Sequence, residues 1–558
     1  MQPQDLPGMP ATACAPGPKR SRPTRRQLRV RRSEMSSMSQ HESTTTPPTP
    51  TPAEPPAAWF LRMDRFVVGM SMAAIVGFMA WTLMAPEAMS KAMKAFFNFA
   101  THQFGWLYLI TGIFFCAFAL WLAFGPFGHV KLGKDNEKPR FSFFSWFSMI
   151  FACGYGIGVV YWVAAEPLSF YSSPPFGIAP LSQQAGEIAL AYTYFHWGWT
   201  PWAMYLAISA PIGYLMFRRE EAPRFSTMLR PLIGTLADGR FGKTLDAFLV
   251  LGTIFGIATS AGFGIMQLAS GLNHFFGLTV NAGLYLLIAG IWLVLYTASS
   301  ISGIDKGIKI LSNINIPLAI ALMAMVLVLG PTLFICDLGF NSLGLYINNF
   351  FKFSFHTDPI AAGGFPQGWT IFYWAWWIAC APATGMFIAS ISRGRTIKEV
   401  VLVHMAVAPF ATWMWFATFG STALHQQIRQ GVDLVGQMKS GSGDIIFAVL
   451  NNLPFGNLMG VMFLFLVLFF LATTVDSFAY VCAQISTRKS QGPEVPPKPI
   501  RALWAISIGV ISVTLVLFGE GISGLQLSSI AASLLIIFVM IAICFAMVKL
   551  LKKHEVPR

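Results

Sequence analysis

Charge is scarce in this chain. Asp, Glu, Lys and Arg make up 11% of the 558 residues, against 55% hydrophobic, where soluble domains carry about 25% charged residues. A soluble globular protein of this length is excluded. Acidic residues are scarcer than basic ones, 24 against 38, for a net charge of +14. Nucleic acid is still not an expected partner, because the basic residues gather at the ends of apolar runs. Arg218/Arg219/Arg224, Arg393/Arg395/Lys398 and Lys549/Lys552/Lys553 are such clusters. With both termini placed in the cytoplasm, only Lys91, Lys94, Lys352, Arg429 and Lys439 fall on external segments. This is the positive-inside bias, and it orients a multi-pass protein in the cell (inner) membrane.

Cysteine chemistry is also thin. Of seven cysteines, Cys116, Cys153, Cys380, Cys482 and Cys544 lie in apolar runs, Cys14 in the N-terminal tail and Cys336 near an outer edge. No CxxC and no Cys/His cluster occurs, so no disulfide framework, metal centre or cofactor is indicated. Among nine scattered histidines only His196 sits in an interesting place, as a structural hydrogen-bonding residue or as a ligand. A membrane-embedded enzyme would need an intramembrane nucleophile–base pair, and His196 has no Cys, Asp or Ser partner by spacing. A channel is a further alternative.

Long apolar runs are abundant. Twelve are long enough to cross a bilayer, at about 65–86, 105–127, 143–166, 187–217, 245–272, 281–300, 314–336, 367–391, 400–424, 457–485, 502–519 and 523–550. An all-α polytopic membrane protein with twelve transmembrane helices is expected. Residues 1–58, rich in Pro, Thr, Ser and Arg, are a cytoplasmic tail that cannot bury a core. Two N-terminal helices and an internal loop fill 59–140. A first group of five helices takes 141–337 and a second takes 367–550. Between them 338–366 is too polar to span and reads as an external amphipathic helix at the interface. A short basic tail, 551–558, ends the chain.

Three stretches stand out. Gly368 to Arg395 crowds Trp369, Trp374, Trp376 and Trp377 into its first half, then runs through Ala381-Pro-Ala-Thr-Gly385. Pro removes a ladder bond and Gly weakens a helix. The stretch is either a helix broken at mid-membrane around a protein-lined cavity or a kinked helix with an interfacial aromatic belt. The third run carries Gly154-Tyr155-Gly156-Ile157-Gly158 and ends near Glu166-Pro167; its glycines serve unwinding or close helix packing. The fourth places Trp197, Trp202 and Tyr205 within about two helical turns, with Pro201 loosening the ladder between them. These rings lie toward the middle of the run, which favours a box over a belt. Ring faces recognise a cation that has no N–H to donate. Interrupted runs five spans apart point to an inverted-repeat secondary transporter with its site at the midplane.

The residues GWTIFYWAWW (Gly368 to Trp377) and SISRGRT (Ser390 to Thr396) resemble the signature of the betaine/carnitine/choline transporter family, and the resemblance extends over roughly 60–550. It implies a leucine-transporter-type fold of two inverted five-helix repeats preceded by two extra helices. It also implies a trimer, and sodium- or proton-coupled uptake, or exchange, of quaternary ammonium compatible solutes used in osmoprotection. Residue by residue, Trp197, Trp202, Tyr205 and Trp377 match the family's aromatic box. Trp376 and Trp369 match path-lining tryptophans, with Trp374 beside them. Gly154, Tyr155, Gly156 and Gly158 match the glycine motif of sodium-coupled carriers, with Tyr155 in place of Met. Thr473 and Thr474 match a sodium site, with Ala152, Tyr155, Phe470 and Leu471 nearby. Cys380 stands where a further Trp is common, so the pocket is reshaped.

The resemblance implies a solute of the betaine, carnitine or choline class, imported with sodium. Proton-coupled choline-type uptake and carnitine-type exchange are the alternatives. Retained glycines favour a zwitterion, whose carboxylate would point at freed N–H groups. Gly158 supplies no titratable group for a proton, which leaves Asp476.

Overall fold

The structure, a computed structural model, describes residues 58–154, 156–438, 441–488, 495–518 and 522–555, without the side chains of 58 and 522–531. The expected N-terminal tail lies outside the described residues up to position 57, as do Tyr155 and the last three residues. The described chain is helical, and its only β features are two isolated bridges, Met63 with Thr487 and Lys131 with Thr396.

Among the described residues ten helices are long and apolar enough to cross a membrane, and the bent pair Phe143–Gly154 and Gly156–Ser172 makes up to eleven. The twelfth expected crossing consists of two helices of 15 residues each, Gln183–Trp197 and Trp199–Gly213. Neither reaches the roughly 20 residues a single span needs.

The third run breaks where its glycines predict, with a bend of 64° between its two halves. It does not end at Glu166-Pro167: Pro167 lies inside the second half, which continues to Ser172. The fourth run breaks at Gly198, not at Pro201. A Cβ on Gly198 would sit 2.5 Å from the Tyr194 carbonyl oxygen. Pro201 falls in the first turn of Trp199–Gly213, where a missing N–H costs no ladder bond.

The eighth run corrects a second expectation. Its helix is unbroken from Phe372 to Ile391 with Pro382 inside, extended upstream by a π turn over Gln367–Ile371. Gly385 allows close packing instead, because a Cβ there would lie 2.4 Å from Cβ of Ile208 on the fourth run. Every residue from Phe372 to Ile391 is buried, so this helix is the axis around which the others pack. The argument from paired breaks therefore rests on the third run alone. The helix expected over 338–366 runs instead from Thr332 to Ser354. It buries Ile335, Tyr346 and Phe353 and leaves Leu333, Phe340 and Phe351 exposed, an apolar outer face suited to lipid.

A buried ionic knot fastens the foot of the first span. Asp64 caps that helix, and its Oδ2 accepts from Nη1 and Nη2 of Arg224 at 3.1 Å each. Arg224 also donates to the Thr487 carbonyl at 2.5 Å and pairs with Asp246 at 3.7 Å. Burial disfavours the Asp64 anion, but the Arg224 charge and hydrogen bonds, Lys243 and the Val67 N–H outweigh it and hold the carboxyl below its ordinary value. A depressed folded-state pKa gives stability that is present above the unfolded value and lost as pH falls through the folded one. Asp64→Ala is expected to cost about 1–3 kcal/mol, the range for losing hydrogen bonds to a buried charged group, because Arg224 keeps Asp246 and the Thr487 carbonyl as partners. Thermal melts in detergent check this, and the gap between variant and wild type should close on acidification below about pH 4.

Candidate functional site

The unbroken eighth helix and the two broken runs meet around a small cavity of about 20 Å³ lined by Cys153, Gly154, Trp197, Tyr205, Ser260, Trp376, Trp377, Cys380, Thr474 and Phe478. That is room for about one water molecule. Six of the residues singled out from the sequence for the solute site line it. The rings touch one another: Trp197 lies 5.4 Å from Trp377 at 77°, and Tyr205 lies 5.0 Å from Trp377. Trp202 stands behind Tyr205, edge-on at 5.8 Å, and does not line the cavity.

The glycines explain how rings come so close to backbone. A Cβ on Gly154 would meet the Trp202 ring at 2.7 Å, and one on Gly158 would meet both Trp197 and Trp376 at 2.8 Å. Gly156 has φ +43° and faces Thr474 Oγ1, which a Cβ would approach to 2.2 Å. This position demands glycine on both counts, backbone and space. Tyr205 O–H donates to the Gly154 carbonyl at 3.1 Å, pinning the ring to the broken helix.

A second cluster adjoins the first. Thr474 Oγ1 lies 2.7 Å from the Phe470 carbonyl oxygen and 3.1 Å from that of Ala152. Thr473 Oγ1 lies 2.9 Å and 3.0 Å from the Phe469 and Phe470 carbonyls. Ala152, Phe470, Thr473 and Thr474 thus form an oxygen-rich set, of the kind that holds small hard cations. The Leu471 side chain points the other way, at Gly264 on the fifth span.

The remaining tryptophans divide. Trp376 lines the cavity, and its buried indole N–H has no hydrogen-bond partner among the described residues. Trp369 packs on Phe170 at 4.8 Å and Trp162 at 5.6 Å, about two turns along the run from Trp376. Trp374 faces Phe195 at 5.1 Å and packs near Gly112, away from the cavity.

Sequence spacing missed a carboxylate. Glu166 is fully buried and accepts from Trp197 Nε1 at 2.7 Å and from Tyr373 O–H at 2.6 Å. His196 Nδ1 lies 2.8 Å from the other carboxylate oxygen, and its Nε2 lies 3.0 Å from Thr370 Oγ1. His196 therefore has the acidic partner that spacing did not reveal. The only available signal was an acidic residue in an apolar run.

The chain matches the family profile described as BCCT, betaine/carnitine/choline family transporter, over residues 66–556. It is 36% identical over 482 residues to the glycine betaine transporter OpuD of Bacillus subtilis, covering 85% of this chain and 92% of that one. It is 34% identical over 471 residues to the ectoine/hydroxyectoine transporter of Virgibacillus pantothenticus, covering 84% and 93%. The betaine/ectoine transporter LcoP of Corynebacterium glutamicum is 33% identical over 496 residues, covering 87% and 78%. These relatives are transporters, which sets aside the embedded-enzyme alternative. The chain belongs to the betaine/carnitine/choline transporter family.

Proposed function

We propose that the protein imports a betaine- or ectoine-type onium solute, with the cationic head held between Trp197, Tyr205 and Trp377. The observation that carries this reading is the meeting of three buried rings around one cavity, beside a helix break. A desolvated ring face attracts such a cation by about 2 kcal/mol or more. The head is several times larger than a water molecule, so the rings part to admit it. In this reading the packed rings correspond to a closed arrangement of an alternating-access cycle. A carboxylate on the solute finds a donor in the indole N–H of Trp376, which has no partner among the described residues.

Sodium is the coupling ion in this reading. Its ligands are the Ala152 and Phe470 carbonyls and the hydroxyls of Thr473 and Thr474. Thr474 also abuts Gly156 in the broken helix, so an ion there and a solute in the cavity stabilise the same helix geometry. Both then favour closure.

Uptake into proteoliposomes of glycine betaine, ectoine, carnitine and choline, each with and without sodium, tests the reading. Saturable, sodium-dependent uptake of a carboxylate-bearing solute is expected, and uptake driven only by a pH gradient would refute the ion. Trp377→Leu keeps apolar volume and removes a ring face, so apparent affinity should fall about tenfold. Thr474→Ala should raise the sodium concentration for half-maximal uptake and spare solute affinity at saturating sodium. Cys380 lines the cavity and its Sγ sits 3.0 Å from where a Cβ on Gly256 would be. Cys380→Trp should therefore penalise carnitine more than glycine betaine in a competition series, and equal penalties would remove position 380 from the solute.

A further inference from the structure

Glu166 has no role in the reading so far, yet it sits directly behind the box. It is fully buried, and among the described residues its only ion-pair partner is His196. An indole N–H can only donate, so the oxygen facing Trp197 is an acceptor. The 2.7 Å and 2.6 Å bonds from Trp197 and Tyr373 have the lengths of bonds to an ionised oxygen. His196 completes the shell. With Nδ1–H toward Glu166 and Nε2 accepting from Thr370, which in turn lies 3.1 Å from the Tyr192 hydroxyl, each group has a partner. A carboxylate met by three donors persists in a low-dielectric interior where a bare one would not.

We infer that Glu166 is a specificity-determining residue of the solute site: its carboxylate, bonded to the Trp197 indole, strengthens the box for a positively charged head. Two effects act together. An anion on the indole N–H pushes electron density onto the ring face that the cation meets. The buried negative charge also acts directly on the head across an interior that screens poorly. The same bond fixes the Trp197 ring edge-on to Trp377, against the bare backbone of Gly158. Because Tyr373 and Thr370 come from the eighth run and its upstream turn, and Trp197 from the fourth, the carboxylate also joins the elements that form the box. The inference rests on the onium reading above.

The test compares glycine betaine with 3,3-dimethylbutanoate, its isostere with carbon in place of the cationic nitrogen. Binding of both to the purified full chain is measured by calorimetry at saturating sodium. Glu166→Gln keeps shape and removes the charge. Its affinity for glycine betaine is expected to fall about tenfold, and its affinity for the neutral-headed isostere to stay level or rise. Equal losses for the two ligands, or no loss for glycine betaine, would overturn the charge role. Trp197→Phe, which keeps a ring but removes the donor, guards against a misfolded Glu166→Gln. It should weaken glycine betaine several-fold without weakening the isostere, and unchanged glycine betaine affinity would likewise overturn the inference. If wild-type protein fails to bind glycine betaine, the trimethylammonium reading falls, and the inference with it.

Discussion

Direct contact between aromatic rings and bare backbone is the constraint on which the rest of this structure depends. Trp197, Trp202 and Trp376 reach the broken third run only because Gly154 and Gly158 have no side chains. Gly156 meets Thr474 in a left-handed conformation that other residues rarely adopt. Each contact is local, but the three alternate along a single break. One helix interruption therefore organises both the ring cluster and the oxygen cluster. The price is polar backbone inside a membrane, which is tolerated where protein encloses it.

Burial of the eighth helix provides that enclosure. Lipid meets none of the residues from Phe372 to Ile391. Its tryptophans are thus core, and the interfacial-belt alternative fails for Trp374, Trp376 and Trp377. Pro382 does not break this helix because neighbours on every side hold it straight, as Gly385 against Ile208 illustrates. The helix breaks lie instead at the 64° bend in the third run and at Gly198 in the fourth. The joint at Gly198 carries Trp197 and Tyr205 on its two sides, and the bend in the third run brings Cys153 and Gly154 to the same cavity, which suits a cycle in which the box opens and closes.

The legible parts were those written into local sequence. Apolar runs gave the spans, the alternating glycines gave the break, and the Trp-rich stretch gave the family and, with Trp376, Trp377 and Cys380, one wall of the cavity. What stayed hidden depended on distant partners. Glu166 is 31 residues from Trp197 and 207 from Tyr373, so no spacing rule could join them. In the fourth run the sequence pointed to Pro201 as the residue that loosens the ladder. Its place in a first helical turn, fixed by Gly198, made it harmless. Trp202 and Trp374 show the same limit. A tryptophan in the right window marks a crowded core, but only the packing decides which ring faces the cavity.

The central claim is that the onium head sits among the faces of Trp197, Tyr205 and Trp377. The most direct measurement is a crystal structure with an arsonium analogue of the solute, located by the anomalous scattering of its arsenic. The account predicts one peak within about 6 Å of the centroids of those three rings, the range of a cation–π contact. A peak outside that cluster, with the three rings still packed on one another, would contradict it.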